Sequence, residues 1–115
     1  MEIDKSLISG SMALLVMKLL EDGDLYGYQM IEELRRRSDD TFRLRAGTLY
    51  PLLHGLEEKG LVTAYEQTAE NGKNRRYYHL TKEGGKALLE KETAWETYAK
   101  AVGRVLKGGA ELAGA

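Results

Sequence analysis

The stretch "KSLISGSMALLVMKLL", residues 5–20, constrains the fold of this chain more than any other. Only Lys5, Ser6, Ser9, Gly10, Ser11 and Lys18 interrupt its apolar character. A helix that is apolar almost all round must be covered on several sides. Its longest unbroken apolar run, Met12 to Met17, is far too short to cross a bilayer, so no membrane is expected and the cover must be protein. A chain of 115 residues fits one domain and buries roughly two-thirds of its unfolded surface, enough to fold without staples. It still offers few partners for such a helix, and a second subunit can supply the missing cover.

The punctuation that follows divides the chain into short elements. Asp22 and Gly23 mark a turn, and Asp24 is placed to cap a helix over about Leu25 to Arg37. Met30, Ile31 and Leu34 share one side of that helix. Gly27 costs about 1 kcal/mol of helix propensity relative to Ala, a cost that close approach by another helix would justify. The polar break "SDDTFRL" carries one anchor, Phe42. Leu49, Leu52, Leu53 and Leu56 then recur at spacings of three and four, and Gly60 stops that third helix. Pro51 leaves its start open. With a start near Ala46, Pro51 removes an early hydrogen bond; with Thr48 as N-cap, it lies harmlessly in the first turn.

Residues 61–67 and 75–80 have β-rich compositions, and Asn71–Gly72 between them is a strong hairpin turn signal. In the second strand Tyr78 and Leu80 alternate with Tyr77 and His79, so one pair faces inward. Thr81 can cap a long final helix over about Lys82 to Leu106. Trp95, Tyr98, Val102 and Val105 step by three, four and three along it, with Leu88 one heptad before Trp95. Lys91 interrupts this seam, and "GGAELAGA" reads as a tail that frays.

The order helix, helix, helix, hairpin, long helix predicts a mainly α fold with a small β-hairpin: a winged helix-turn-helix followed by a dimerisation helix. Residues 1–81 form the winged part, 82–107 the dimerisation helix and 108–115 a flexible tail. In such motifs the second helix of the pair enters the major groove of double-stranded DNA. The polar side of the third helix suits that task. Gly47, Thr48 and Pro51 keep it slim, while Tyr50 and His54 bring rings with hydrogen-bonding tips. Lys73, Arg75 and Arg76 on the wing suit phosphate contacts.

Charge is distributed accordingly. The net charge is −1, yet residues 41–82 carry seven Lys/Arg against four acids, a local +3, and the remainder ten against fourteen, −4. Local charge matters more than the total for meeting a polyanion. The chain has no cysteine, which removes disulfides, thiolate metal sites and a cysteine nucleophile, and suits a cytoplasmic protein. No signal peptide is read at the N-terminus. Its two histidines, His54 and His79, stand on different elements and in no nucleophile or metal motif, so an enzyme, a metal and a cofactor are not expected. The competing reading is a winged-helix protein-interaction adaptor without specific DNA binding, which would have no need of the three wing cations together.

"LYGYQMIEEL", "GTLYPLLHGLEEKGLV" and "RRYYHLTKEGGKAL" in this order resemble the PadR family of transcriptional regulators, and its short-form members with a single C-terminal helix in particular. The resemblance spans about Lys5 to Leu106. It implies a homodimeric winged helix-turn-helix, usually a repressor, paired through the last helix with help from the first. It also implies, for many members, a small aromatic or lipophilic effector, and some control transporter genes; a twofold dimer of such motifs predicts half-sites roughly one helical turn or a multiple apart, a pseudopalindromic operator. The recognition pattern falls on Gly47, Thr48, Tyr50, Pro51 and His54, the wing pattern on Lys73, Arg75, Arg76, Tyr77 and Tyr78, and the helix-two signature on Leu25, Tyr26, Gly27 and Tyr28. Of Tyr26 and Tyr28, one is expected to pack and one to meet phosphate. Ala46, Gly55 and His79 depart from the family's frequent Pro, Arg and Arg, which points to a weaker hold or a different operator. Trp95 either packs in the dimer seam or also forms a ligand platform with Met12, Leu15 and Tyr98 as walls. The run Arg35–Arg37 either complements a helix dipole or clamps a DNA backbone.

Overall fold

A computed structural model describes the backbone of residues 5–114 and the side chains of residues 10–108. Four helices and three short strands follow one another: α1 (Lys5–Glu21), β1 (Leu25–Tyr26), α2 (Gly27–Arg37), α3 (Ala46–Glu58), β2 (Val62–Thr68), β3 (Asn74–Leu80) and α4 (Lys82–Gly114). The antiparallel sheet has the order β1-β3-β2.

The apolar helix α1 is central. Met12, Val16, Met17, Leu19 and Leu20 are buried, and α1 packs against α2, α4 and β3. Met30 and Leu34 of α2 and Leu49, Leu53 and Leu56 of α3 meet it in one core, closed by Leu44, Val62, Tyr78 and Leu88. Phe42, Ile31 and Leu52 pack partly buried at its edge. Ala13, Leu14 and Leu15 of α1 remain only partly covered.

Three boundaries differ from the sequence reading. Leu25 and Tyr26 do not begin α2; they pair with Tyr78 and Tyr77 of β3 as a two-residue strand. Asp24 therefore stands too far upstream to cap α2, whose N-cap is Tyr26, with the Tyr26 N–H donating to Gln29 Oε1 at 3.1 Å. At the other end of the chain α4 runs on to Gly114, through the stretch read as a tail.

The hairpin registers Val62 with Leu80 through Thr68 with Asn74. At its tip Gly72 takes a left-handed φ of 82°, its N–H donates to Ala69 O, and Asn71 Oδ1 accepts from the Lys73 N–H. Thr81 caps α4 as expected, its Oγ1 accepting from the Gly84 N–H at 2.9 Å.

Candidate nucleic-acid interface

Helix α3 separates its two sides cleanly. Leu49, Leu53 and Leu56 are in the core, while Gly47, Thr48, Pro51 and His54 are exposed on the far side. The helix starts at Ala46 with Arg45 as an extended N-cap. Pro51 thus lies inside the helix, and the bond that residue 51 would donate to the Gly47 carbonyl is missing. No side chain caps the first turn and no acid stands in it, so the positive end of the helix dipole faces outward beside Arg45. His54 Nε2 lies 2.8 Å from Glu58 Oε1 one turn on, with both side chains exposed. Tyr50 is 46% exposed, and the rest of its ring lies over Gly27 of α2.

The wing cations have three different settings. Among the described residues Lys73 makes no ion pair and stands exposed at the tip. Arg75 lays its guanidinium 4.8 Å from the centre of the Tyr26 ring, and its Nε is buried without a protein partner. Arg76 points to the other side of the sheet, where it meets Glu57 of α3 and Glu66 of β2, each at 3.5 Å. Strand alternation puts residues 75 and 76 on opposite faces. The trio is therefore graded from one open cation to two with intramolecular partners.

Tyr26 and Tyr28 divide in the same way. Tyr26 packs edge-on to Tyr77 with ring centres 5.4 Å apart, and Tyr77 stacks on Tyr65 at 5.6 Å. Tyr28, in the first turn of α2, is 63% exposed. The packed ring of the pair is Tyr26. Tyr77 sits between two other tyrosines in a cross-strand row.

Sequence reading missed a polar cluster beside that row. The Asp24 carboxylate accepts from the Tyr65 hydroxyl at 2.7 Å, and its other oxygen lies 2.8 Å from His79 Nδ1. Partial burial pushes the Asp24 carboxyl upward, but the hydroxyl and the imidazole outweigh it and hold it below the ordinary aspartate value. This cluster ties the residue before β1 to both wing strands. It joins positions 41 and 55 residues apart, so only the pairing of β1 with β3 could reveal it.

The arginine run at the end of α2 is committed locally. Arg35 pairs with Glu32 and Asp40, Arg36 with Glu33, and Arg37 with both Glu33 and Asp22. Arg36 and Arg37 together hold the Glu33 carboxyl at about 2.

A cavity of about 450 Å³ opens between α1 and α4. Gly10, Ser11, Ala13 and Leu14 line one wall, and Lys91, Ala94, Trp95 and Tyr98 the other. Lys18 holds the two helices together, meeting Glu92 at 2.9 Å. Met12 and Leu15, expected as walls, do not line it. Met12 is buried in the core and Leu15 packs against that core. Leu88 is also displaced from its expected place. It is 1% exposed inside the protomer, where the first turns of α4 cross the core, and contributes nothing to an outer seam. Trp95, Tyr98, Val102 and Val105 are all exposed.

Among the described residues no group of three or more His, Cys, Asp or Glu is placed to hold a metal, and no helix is long and apolar enough to cross a membrane.

Comparison with known proteins agrees with this architecture. The transcriptional regulator PadR-like family matches residues 16–90. A transcriptional regulator of Mycobacterium tuberculosis is 39% identical over 93 residues, covering 81% of this chain and 80% of that protein. The solved structure of a transcriptional regulator from Clostridium thermocellum superposes with a TM-score of 0.79 at 31% identity, over 86% of this chain and 96% of the other. A PadR family transcriptional regulator from Eggerthella lenta gives 0.77 at 32% identity, over 89% and 87%.

Proposed function

The chain belongs to the PadR-like family of transcriptional regulators, and from that premise we propose that it is a homodimeric repressor of a pseudopalindromic operator. Two copies of α3 enter successive major grooves, and the wings hold the flanking phosphates. The observation that carries this reading is the bare side of α3. It is slim, exposed, opposite the core and free of acids in its first turn. Thr48 and His54 offer hydrogen bonds to base edges, and Tyr50 a ring with a polar tip. Lys73 is the best placed wing cation. Arg75 and Arg76 reach phosphate by exchanging an aromatic face or a carboxylate for it.

Salt titration of binding to duplex DNA tests the assignment. Replacing Lys73, Arg75 and Arg76 together with Ala should weaken binding to all sequences alike. The log–log salt slope should fall by about one for each phosphate that the wing no longer neutralises. A triple variant with the wild-type affinity and slope would mean that the wing does not touch DNA. A wild-type protein that ignores DNA at low salt would favour the adaptor reading.

The cavity between α1 and α4 suits a flat aromatic or lipophilic effector. Its Trp95 and Tyr98 rings are partly bare in the protomer, and a second copy pairing along α4 would bring two such walls together. Binding there alters how α4 lies on α1, and with it the spacing of the two reading helices. Trp95 is the only tryptophan, so its emission reports this site alone. Titration with planar cationic dyes should quench it with saturation. A broad panel that leaves the emission unchanged would reduce Trp95 to packing.

A further inference from the structure

Gly27 is buried at the first position of α2, and its backbone is not what requires a glycine. Among the described residues the glycines that do adopt a left-handed φ are Gly60 and Gly72. What forbids a side chain at Gly27 is the third helix. A Cβ built there would lie 2.2 Å from Tyr50 Oη, 2.7 Å from Cζ and 3.2 Å from Cε1. The tip of the Tyr50 ring is thus seated directly on the α2 backbone. The three nearest atoms all belong to that one ring.

Tyr50 stands among the exposed residues of α3, beside Pro51 and one turn before His54, and is 46% exposed. An exposed tyrosine on a helix ordinarily samples several rotamers. Here the tip of the ring rests against the backbone of a neighbouring helix, which restricts that choice. A reading side chain fixed before it meets its target loses less freedom on binding and discriminates more sharply.

We infer that Gly27 is a positioning residue for DNA reading: by lacking a side chain it seats the Tyr50 ring and so sets which bases α3 prefers. The inference rests on the proposal that α3 reads DNA. A substitution here meets the mobile end of a side chain rather than backbone, so the ring is what gives way. Gly27→Ala should swing Tyr50 off its seat and leave the fold in place.

The test compares Gly27→Ala, Tyr50→Ala and the double variant. In free protein with ¹³C-labelled tyrosine rings, Gly27→Ala should shift the Tyr50 signals, identified by their loss in Tyr50→Phe. Selection from a randomised duplex pool should then change at one or two positions of each half-site. Affinity for the wild-type choice should drop roughly tenfold, the scale on which one base edge is discriminated. In the Tyr50→Ala background Gly27→Ala should change nothing further, because both act through one ring. Equal, additive losses in both backgrounds would overturn the inference, as would an unchanged selection by a Gly27→Ala protein that binds DNA. A wild type that selects no sequence would overturn the DNA reading as well, whatever the ring signals do. If Gly27→Ala fails to fold, the double variant decides. Folded and selecting like Tyr50→Ala, it supports the seat; unfolded, it shows that Gly27 is needed for something other than Tyr50.

Discussion

Gly84→Ala should destabilise this protein by about 3 kcal/mol, at the upper end for an added methyl, while Gly85→Ala, one residue on, should be neutral or stabilise it by up to about 1 kcal/mol. Both glycines lie in the first turns of α4, and neither needs a left-handed backbone. Only their surroundings differ. A Cβ on Gly84 would sit 2.0 Å from the Leu61 carbonyl oxygen and 2.7 Å from Leu80 Cδ1, whereas nothing lies within 4 Å of one on Gly85. The Leu61 oxygen is backbone and cannot swing aside as a side-chain tip can. It also accepts from the Thr81 N–H at 3.1 Å and lies 3.0 Å from Thr81 Oγ1, which bonds Gly60 O at 2.7 Å as well. A methyl on Gly84 must therefore push α4 away from the base of the hairpin and break the bonds that fasten it there. In a domain this small the loss should lower the thermal midpoint by roughly 10 °C or more at fixed protein concentration. Equal midpoints for the two variants would mean that α4 does not press on Leu61 as described.

Local signals in the sequence reach only so far along the chain. The faces of α2 and α3, the hairpin with Asn71 and Gly72 at its tip, and the Thr81 cap follow from periodicity and turn chemistry. Those signals act within a few residues. The features that escape them are set by contacts between distant segments. A two-residue strand has no period to detect, so β1 is defined only by Tyr77 and Tyr78 across from it. Asp24 resembles a helix cap in sequence because its partners, Tyr65 and His79, come from the wing. Leu88 fits a heptad with Trp95, yet it falls where α4 crosses its own core. Met12 is apolar and so reads as a cavity wall, but its angular position on α1 points it inward. For the candidate interface, α3 is legible because a bare helix side stands out by composition. The unequal setting of Arg75 and Arg76 is half legible, since alternation separates them but says nothing of Tyr26, Glu57 or Glu66.

The second large effect concerns the apolar side of α4. Val102→Glu with Val105→Glu should convert the proposed dimer to a monomer and cut affinity for a two-half-site operator by roughly 100-fold or more, the gain that linking two weak contacts provides. Trp95, Tyr98, Val102, Val105 and Leu106 all stand exposed along one side of the protomer's helix. Folded monomers rarely leave so much contiguous apolar surface in water. The partly bare Ala13 and Leu14 of α1 adjoin it, which is the cover that the apolar first helix lacks within one chain. Val105 is 79% exposed and Val102 37%, so glutamates there meet solvent in the protomer and bury charge only when two copies close on each other. The variant should keep the helical circular-dichroism spectrum of the parent, sediment as a single chain, and bind a duplex with one half-site as the parent does. Only the two-site duplex should show the loss, because one protomer can no longer carry the other to the adjacent groove. A variant that still sediments as a dimer would place the contact between copies elsewhere than on this side of α4. A monomer with undiminished affinity for the two-site duplex would instead show that the reading helices work singly.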